Sequence, residues 1–208
     1  MLAGCKAESV QLRLSAEDIV DALAGEPVDV PFVATYSFFG DLDAEQKADM
    51  ERLEAIARTF IDIESFEISS KSSTVEVSVE GTLPLITPAN GRDSKPGAWR
   101  LLVGPSELGI PGFDHRVWLA ATSDFDAMEK DMRDVNFMSA PDEFNPTQIR
   151  LRADSGVALK LLAGGFQTGG DHVGLGVVDV EAGSSVTLNF GGGAYDETGA
   201  TFLVQGLD

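Results

Sequence analysis

The sequence predicts an α+β, β-dominated fold, with a mixed N-terminal α+β lobe followed by a C-terminal antiparallel β-sandwich. Apolar and polar residues alternate along many short segments, which is typical of strands buried on one face. From Ile149 onward, glycine separates a series of such segments, the spacing expected of a sandwich. Helical periodicity occurs only near residues 16–24, 43–60 and 124–134, so we expect neither a parallel sheet nor a helix within residues 150–205.

A change in texture near Pro141 divides the chain into three parts. Residues 1–8 are interpreted as a lipobox remnant or flexible tether, residues 9–140 as the α+β lobe, and residues 141–208 as the sandwich-like lobe. With 208 residues, 43% of them hydrophobic, the chain is long and apolar enough to bury a core.

The N-terminal lobe begins with a strand, a short helix and a second strand. Val10–Leu14 alternates at period two, which predicts a strand. Ser15 is placed to cap the helix over residues 16–24, and Gly25 ends it. Residues 28–38 alternate again as one long strand.

Two more helices and four more strands complete this lobe. Asp43 begins the most regular helix, on which one apolar stripe comprises Met50, Leu53, Ile56, Ala57 and Phe60. The strands are assigned to Phe66–Ile68, Val75–Val79, Leu101–Val103 and Val117–Leu119. The last helix presents a second apolar stripe, made of Phe125, Met128, Met132 and Val135.

The C-terminal lobe is predicted to contain only strands, turns and loops. Its strands are assigned to Ile149–Leu151, Val157–Leu162, Val173–Val180, Val186–Phe190 and Phe202–Val204. Its glycines lack the spacing and the following helix of a nucleotide-binding motif. We therefore interpret them as loops and bulges; they include Gly164, Gly165, Gly169, Gly170, Gly174, Gly176 and residues 191–193.

Pro31 and Pro84 interrupt two predicted strands. Proline has no N–H to donate to a sheet ladder, so within sheets it is found at edges, strand starts and bulges. We expect Pro31 to mark a sheet edge or a bulge and Pro84 to mark an edge, so that neither strand is fully paired on both sides. Because an exposed edge must be covered or blunted, we also expect self-association or a protein partner there.

The chain is strongly acidic. It has 34 aspartate and glutamate residues against 15 lysines and arginines, a formal net charge of −19. Such a surface repels phosphate backbones, so nucleic acid is excluded as an expected partner. Solubility or a salty habitat is the first explanation of this acidity and a basic or cationic partner is the second; the acidity alone does not choose between them.

No constellation of residues predicts catalysis or a cofactor. The two histidines, His115 and His172, accompany neither a Gly-x-Ser-x-Gly elbow nor four zinc ligands. Isolated acidic side chains leave calcium candidates at Asp41, Asp43, Asp142 and Asp171, without a complete loop pattern around any of them. The expected metal and cofactor content is therefore none.

Cys5 is the only cysteine, and it follows Leu2-Ala3-Gly4. This order matches the cleavage site of a bacterial lipoprotein signal, and the polar Lys6 to Glu8 segment fits the position after it. The charged and apolar regions of such a signal do not precede it, so either the assigned start is late or the chain is not exported.

The segments "LAGCKAE" and "VPFVATYSFFG", together with Val178 to Leu188, resemble small predicted lipoproteins carried by phages, prophages and plasmids. That resemblance implies acylation of Cys5 and an address in the bacterial cell envelope, without an established activity. A membrane would then be contacted only through the lipid anchor.

We therefore expect a non-enzymatic binding or structural module. The resemblance favours an envelope lipoprotein acting in host-surface modification or superinfection exclusion. The alternative is a virion surface protein, such as a capsid decoration, tail or fibre component. A hydrolase using a pair of carboxylates is the third hypothesis. It ranks last because nothing singles out one pair among the many acidic residues.

Overall fold

A computed structural model describes residues 9–39, 42–71, 74–90, 97–136, 141, 147–154, 156–190 and 200–207. Over these residues the strands are β1 (Ser9–Ser15), β2 (Val28–Phe39), β3 (Asp62–Lys71), β4 (Thr74–Ile86), β5 (Trp99–Pro105), β6 (His115–Ala121), β7 (Thr147–Arg152), β8 (Leu159–Thr168), β9 (Asp171–Val180), β10 (Ser185–Phe190) and β11 (Thr201–Gln205). The helices are α1 (Ala16–Ala24), α2 (Ala44–Phe60) and α3 (Ser123–Val135).

Nine strands form a closed β-barrel. Neighbouring strands pair in the order β10-β7-β1-β2-β4-β5-β6-β11-β8, and β10 also pairs with β8, which closes the ring. Two strands lie outside the ring, β3 against β4 and β9 against β8. The predicted C-terminal β-sandwich is therefore wrong. Alternation shows that a strand buries one face, and both a sandwich and a barrel satisfy that pattern.

The barrel joins the two predicted lobes in one sheet. The first strand, β1, runs parallel to β7, from Val10 opposite Thr147 to Ser15 opposite Arg152. On the other side, β11 pairs with β6. A second parallel pair joins β4 to β5, whereas the other described strand pairs are antiparallel, so the sheet is mixed rather than parallel. The boundary drawn at residues 140 and 141 thus lies between strands of the same barrel.

The three helices lie where the sequence predicts them, because their signals are local. Ser15 Oγ accepts a hydrogen bond from the Asp18 N–H at 3.2 Å, and the Asp18 carboxylate accepts one from the Ser15 N–H at 2.7 Å. Gly25 ends α1 with a φ of 97°, which a residue with a side chain rarely adopts. Asp43 caps α2 in the same reciprocal way, through Gln46.

Pro31 and Pro84 lie in strands that have neighbours on both edges. Strand β2 lies between β1 and β4, and the β1 ladder reaches only to Phe32, one residue short of Pro31. Beside β4, the β3 ladder ends opposite Thr82 and the β5 ladder begins at Leu85, which leaves Pro84 between them. Each proline is paired in the β2–β4 ladder, Pro31 opposite Thr82 and Pro84 opposite Asp29, and faces a gap on its other edge, where a missing N–H costs no hydrogen bond. The edge-strand assignment of these two positions does not match this arrangement.

Several of the glycines interpreted as loops and bulges lie inside regular strands. Gly164 and Gly165 are part of β8, and Gly174 and Gly176 are part of β9. The two strands keep one continuous antiparallel register through these glycines. Only Gly169 and Gly170 form the turn between them, both with positive φ. Glycine density alone therefore overestimates the number of turns.

One apolar core fills the inside of the fold. Its largest fully buried side chains include Phe166, Phe202, Leu12, Ile149 and Leu161, which come from strands in both halves of the chain. Helices α2 and α3 contribute the buried stripes that the sequence predicts, with Met50, Leu53 and Ala57 on α2 and Phe125, Met128 and Met132 on α3. Over the described residues, no helix combines the length and apolar composition needed to cross a membrane.

Candidate apolar binding cavity

A cavity lies between the inward faces of the first strands and helices α2 and α3. Along β2, Phe32, Ala34 and Tyr36 fall on one face because side chains alternate along a strand. Val77 and Val79 repeat that spacing on β4, the neighbouring strand. These positions form the sheet wall of the cavity.

The two helices form the opposite wall. Leu53 and Ala57 face the cavity from α2, and Met128 and Met132 face it from α3. All four side chains are buried, and the two helices also pack against each other. Methionine side chains are flexible and polarizable, so this wall can adapt to the shape of a guest molecule.

The cavity has a volume of about 120 Å³. Two small residues account for much of the space, since Ala34 on β2 and Ala57 on α2 both line it with a methyl group only. An apolar cavity of about 150 Å³ is known to remain dry and to bind benzene. The volume therefore suits a small apolar molecule of about that size rather than a drug-sized ligand, which needs about 300 Å³ or more.

Tyr36 gives the cavity a polar group. Its side chain is half-buried on the inward face of β2, and burial among apolar neighbours raises the pKa of its hydroxyl to about 12. Among the residues that the structure describes, none forms a hydrogen bond with this hydroxyl. Because the side chain is only half-buried, its hydroxyl reaches solvent at the cavity wall and is open to donate to or accept from a guest.

Thr147, at the start of β7, is the second polar residue of the lining and is only 3% exposed. The other lining side chains are apolar, apart from the indole N–H of Trp99. The described lining contains no carboxylate, imidazole, thiol, ammonium or guanidinium group, and it offers a guest apolar contact together with the Tyr36 hydroxyl.

The residues that the sequence singled out lie away from this cavity or outside the described residues. Cys5, Asp41 and Asp142 are in the latter group. Asp43 accepts a hydrogen bond from the Gln46 N–H at 2.9 Å as the cap of α2, and Asp171 is exposed at the start of β9. Within the described ranges, no three acidic, histidine or cysteine side chains form a group that could hold a metal ion.

The histidines are also separate from the cavity. His115 begins β6, where its backbone pairs with Pro105 and Val204. On β9, His172 is exposed, and its Nε2 lies 2.7 Å from the Gln167 Nε2 that donates to it. Neither is part of the described cavity lining.

Sequence reasoning missed Tyr36 and Thr147 as site residues. The available signal was Tyr36 in the inward register of a predicted strand, where a polar tip is unusual, two residues after the small Ala34. No signal near Thr147 indicates its position, because it reaches the cavity only through the long-range pairing of β7 with β1.

No protein-family profile matches the chain, and no curated protein shows significant similarity to it.

Proposed function

We propose that the chain binds a small apolar or amphipathic molecule in the cavity between the barrel strands and helices α2 and α3. The observation that supports this most is the combination of an apolar space of about 120 Å³ with the unpartnered hydroxyl of Tyr36 among the described residues. Apolar walls provide the affinity, and a single hydroxyl provides orientation. This role belongs to the class of non-enzymatic binding modules.

The preferred guest is a ring or short chain of about six to eight heavy atoms with one hydroxyl or carbonyl group. Apolar burial would supply most of its binding free energy. A dissociation constant of about 0.1–1 mM, or about 4–5.5 kcal/mol, is reasonable for a guest this small. A hydrogen bond to Tyr36 would add about 0.5–1.5 kcal/mol, which corresponds to about two- to tenfold in affinity.

Toluene and phenol test the proposal, since they have the same shape and differ in the hydroxyl. We expect both to bind, as followed by calorimetry and by the methyl signals of Met128 and Met132 in NMR spectra. Tyr36→Phe should lower the affinity for phenol by about two- to tenfold and leave that for toluene unchanged. Ala34→Leu, which fills the space, should abolish binding of both.

Ala163→Leu is the matched control, because Ala163 is a buried strand alanine outside the described cavity lining. It should retain binding of both compounds. Absence of binding to the native chain, or equal binding by Ala34→Leu, would refute the proposed function.

The sequence Leu2-Ala3-Gly4-Cys5 supports a second proposal, which concerns location rather than ligand. We propose that Cys5 is acylated and anchors the chain at the bacterial cell envelope, with the virion surface as the alternative. Cys5→Ser, expressed with the natural upstream region, should abolish lipid labelling and release the protein from the membrane fraction. A native chain that is never labelled would contradict acylation and favour the virion.

A further inference from the structure

Strand β9 has one free edge in the described part of the chain. It pairs with β8 along its whole length, from Asp171 opposite Thr168 to Val180 opposite Leu159, and with no other described strand. A strand edge presents a row of unpaired N–H and C=O groups that can pair with another chain. Proteins normally protect such edges with charges, prolines or bulges.

The free edge of β9 has none of these protections between its ends. Residues 172–178 contain no lysine, arginine, aspartate, glutamate or proline, and the register with β8 has no bulge. Leu175 is 76% exposed and Val177 is 53% exposed, the former being the most exposed large hydrophobic side chain among the described residues. Both lie on the same face of the strand, since they are two positions apart.

Strand β3 provides the contrast. It too pairs with only one described strand, β4. Its exposed side chains include the carboxylates of Glu64 and Glu67, and its ladder is interrupted between Ile63 and Ser65. These are the features that prevent edge pairing. Strand β3 also exposes one large apolar side chain, Ile68 at 44%, but a carboxylate lies next to it at Glu67. On β9, Leu175 and Val177 are exposed on a stretch without any charged side chain.

The sequence of β9 is nearly palindromic about Leu175: "DHVGLGVVD" has aspartate at both ends, valine two positions and glycine one position to either side of the leucine. We propose that two copies of this chain pair through β9, antiparallel and about a two-fold axis at Leu175. This register places Leu175 opposite its own copy, Val173 opposite Val177 and Gly174 opposite Gly176. A two-fold axis normal to the sheet also keeps the same face outward in both copies, as an isologous interface requires.

The carboxylates at the two ends of the proposed interface weaken the pairing of the two strands. The register places Asp171 of each copy opposite Asp179 of the other, and like charges directly opposite each other weaken a strand pair. Lys160, whose Nζ lies 3.9 Å from an Asp179 carboxylate oxygen, offsets part of this repulsion. Because each copy also carries a net charge of −19, the dimer should be measured in about 0.5 M salt, where screening is strong.

Molar mass, measured by light scattering or sedimentation, tests whether the chain dimerises through β9. The native chain should reach twice its 22.1 kDa mass as its concentration rises. Leu175→Lys places two ammonium groups opposite each other at the axis and should raise the dimer dissociation constant by at least tenfold. Leu108→Lys is the matched control, because Leu108 is 68% exposed on a turn far along the chain from β9, and it should dimerise like the native chain.

Cysteine cross-linking tests the register. In a Cys5→Ser background, Leu175→Cys places two thiols on the axis, with Cα atoms about 4.5–5.5 Å apart, within disulfide range. Val177→Cys lies two positions from the axis, so its two copies are separated by about 13 Å and cannot form a disulfide. Rapid oxidation of Leu175→Cys alone is the expected result. A native chain that stays monomeric, a Leu175→Lys variant that dimerises normally, or cross-linking that does not favour Leu175→Cys would overturn the proposal.

Discussion

Replacing Ala34 by leucine distinguishes an empty cavity from a packed core. Ala34 is 5% exposed on β2, and its methyl group faces the cavity. In a well-packed interior, a larger side chain forces neighbours apart and destabilises the fold by about 1–3 kcal/mol. Beside an unfilled space of about 120 Å³, the three added carbon atoms are buried without displacing their neighbours. The sign of the stability change therefore reports on the cavity.

The expected gain follows from the area and entropy terms. Burying three carbon atoms contributes about 2.4 kcal/mol at about 0.8 kcal/mol each. Fixing the leucine side chain costs about 0.5–1 kcal/mol. We therefore expect Ala34→Leu to raise the free energy of unfolding by about 1.5 kcal/mol, which for a chain of this length raises the melting temperature by about 3–6 °C.

Thermal and urea unfolding of the native chain and the variant, followed by circular dichroism, measure this change. Ala163→Leu is the comparison, because Ala163 is 3% exposed in β8 and outside the described cavity lining. That substitution should destabilise the chain by about 1–3 kcal/mol. If Ala34→Leu destabilises the chain as much as Ala163→Leu, protein atoms already occupy the space beside Ala34 and there is no cavity there.

Three further predictions concern stability. The pKa of Tyr36 is about 12 in the folded chain and 10.0 is its ordinary value, so the unfolded state loses its proton first as pH rises. Stability should therefore fall by about 2 kcal/mol between pH 10 and pH 12, and pH-dependent urea unfolding of Tyr36→Phe should lack this loss. Ser15→Ala removes the cap of α1 and should cost about 1 kcal/mol in urea unfolding, whereas an unchanged midpoint would contradict the role of the cap. A methyl group on Gly81 would overlap the Asp62 carbonyl oxygen, so Gly81→Ala should destabilise the fold by more than about 2 kcal/mol in thermal melts. Gly174 has open space around it, so the control Gly174→Ala should change stability by less than about 1 kcal/mol.

The elements of this fold were predictable from the sequence to the extent that they depend on neighbouring residues. Asp43 and Gly25 mark helix ends through contacts within a few residues, and the structure confirms those helices. Each strand predicted after residue 149 also exists, with shifted ends. What alternation could not show is which strands pair. The β1–β7 ladder joins residues more than 130 positions apart, and nothing in either segment specifies its partner.

The candidate site was predictable only in part. The apolar stripes of α2 and α3 and the inward positions of β2 follow from periodicity. The space between them does not, because it depends on how far apart the barrel and the helices are held. Ala34 and Ala57 were ordinary small core residues in the sequence, and only the fold brings them to the same cavity.

A crystal structure of the chain exposed to bromobenzene would show whether the cavity binds a small aromatic guest. Bromine gives an anomalous signal that locates the guest without reference to protein contacts, and bromobenzene has about the size that the cavity admits. We expect one strong bromine peak in the cavity beside Ala34, Tyr36 and Met128, and loss of that peak in Ala34→Leu. Strands and helices in direct contact, with no peak between them in the native chain, would contradict this expectation.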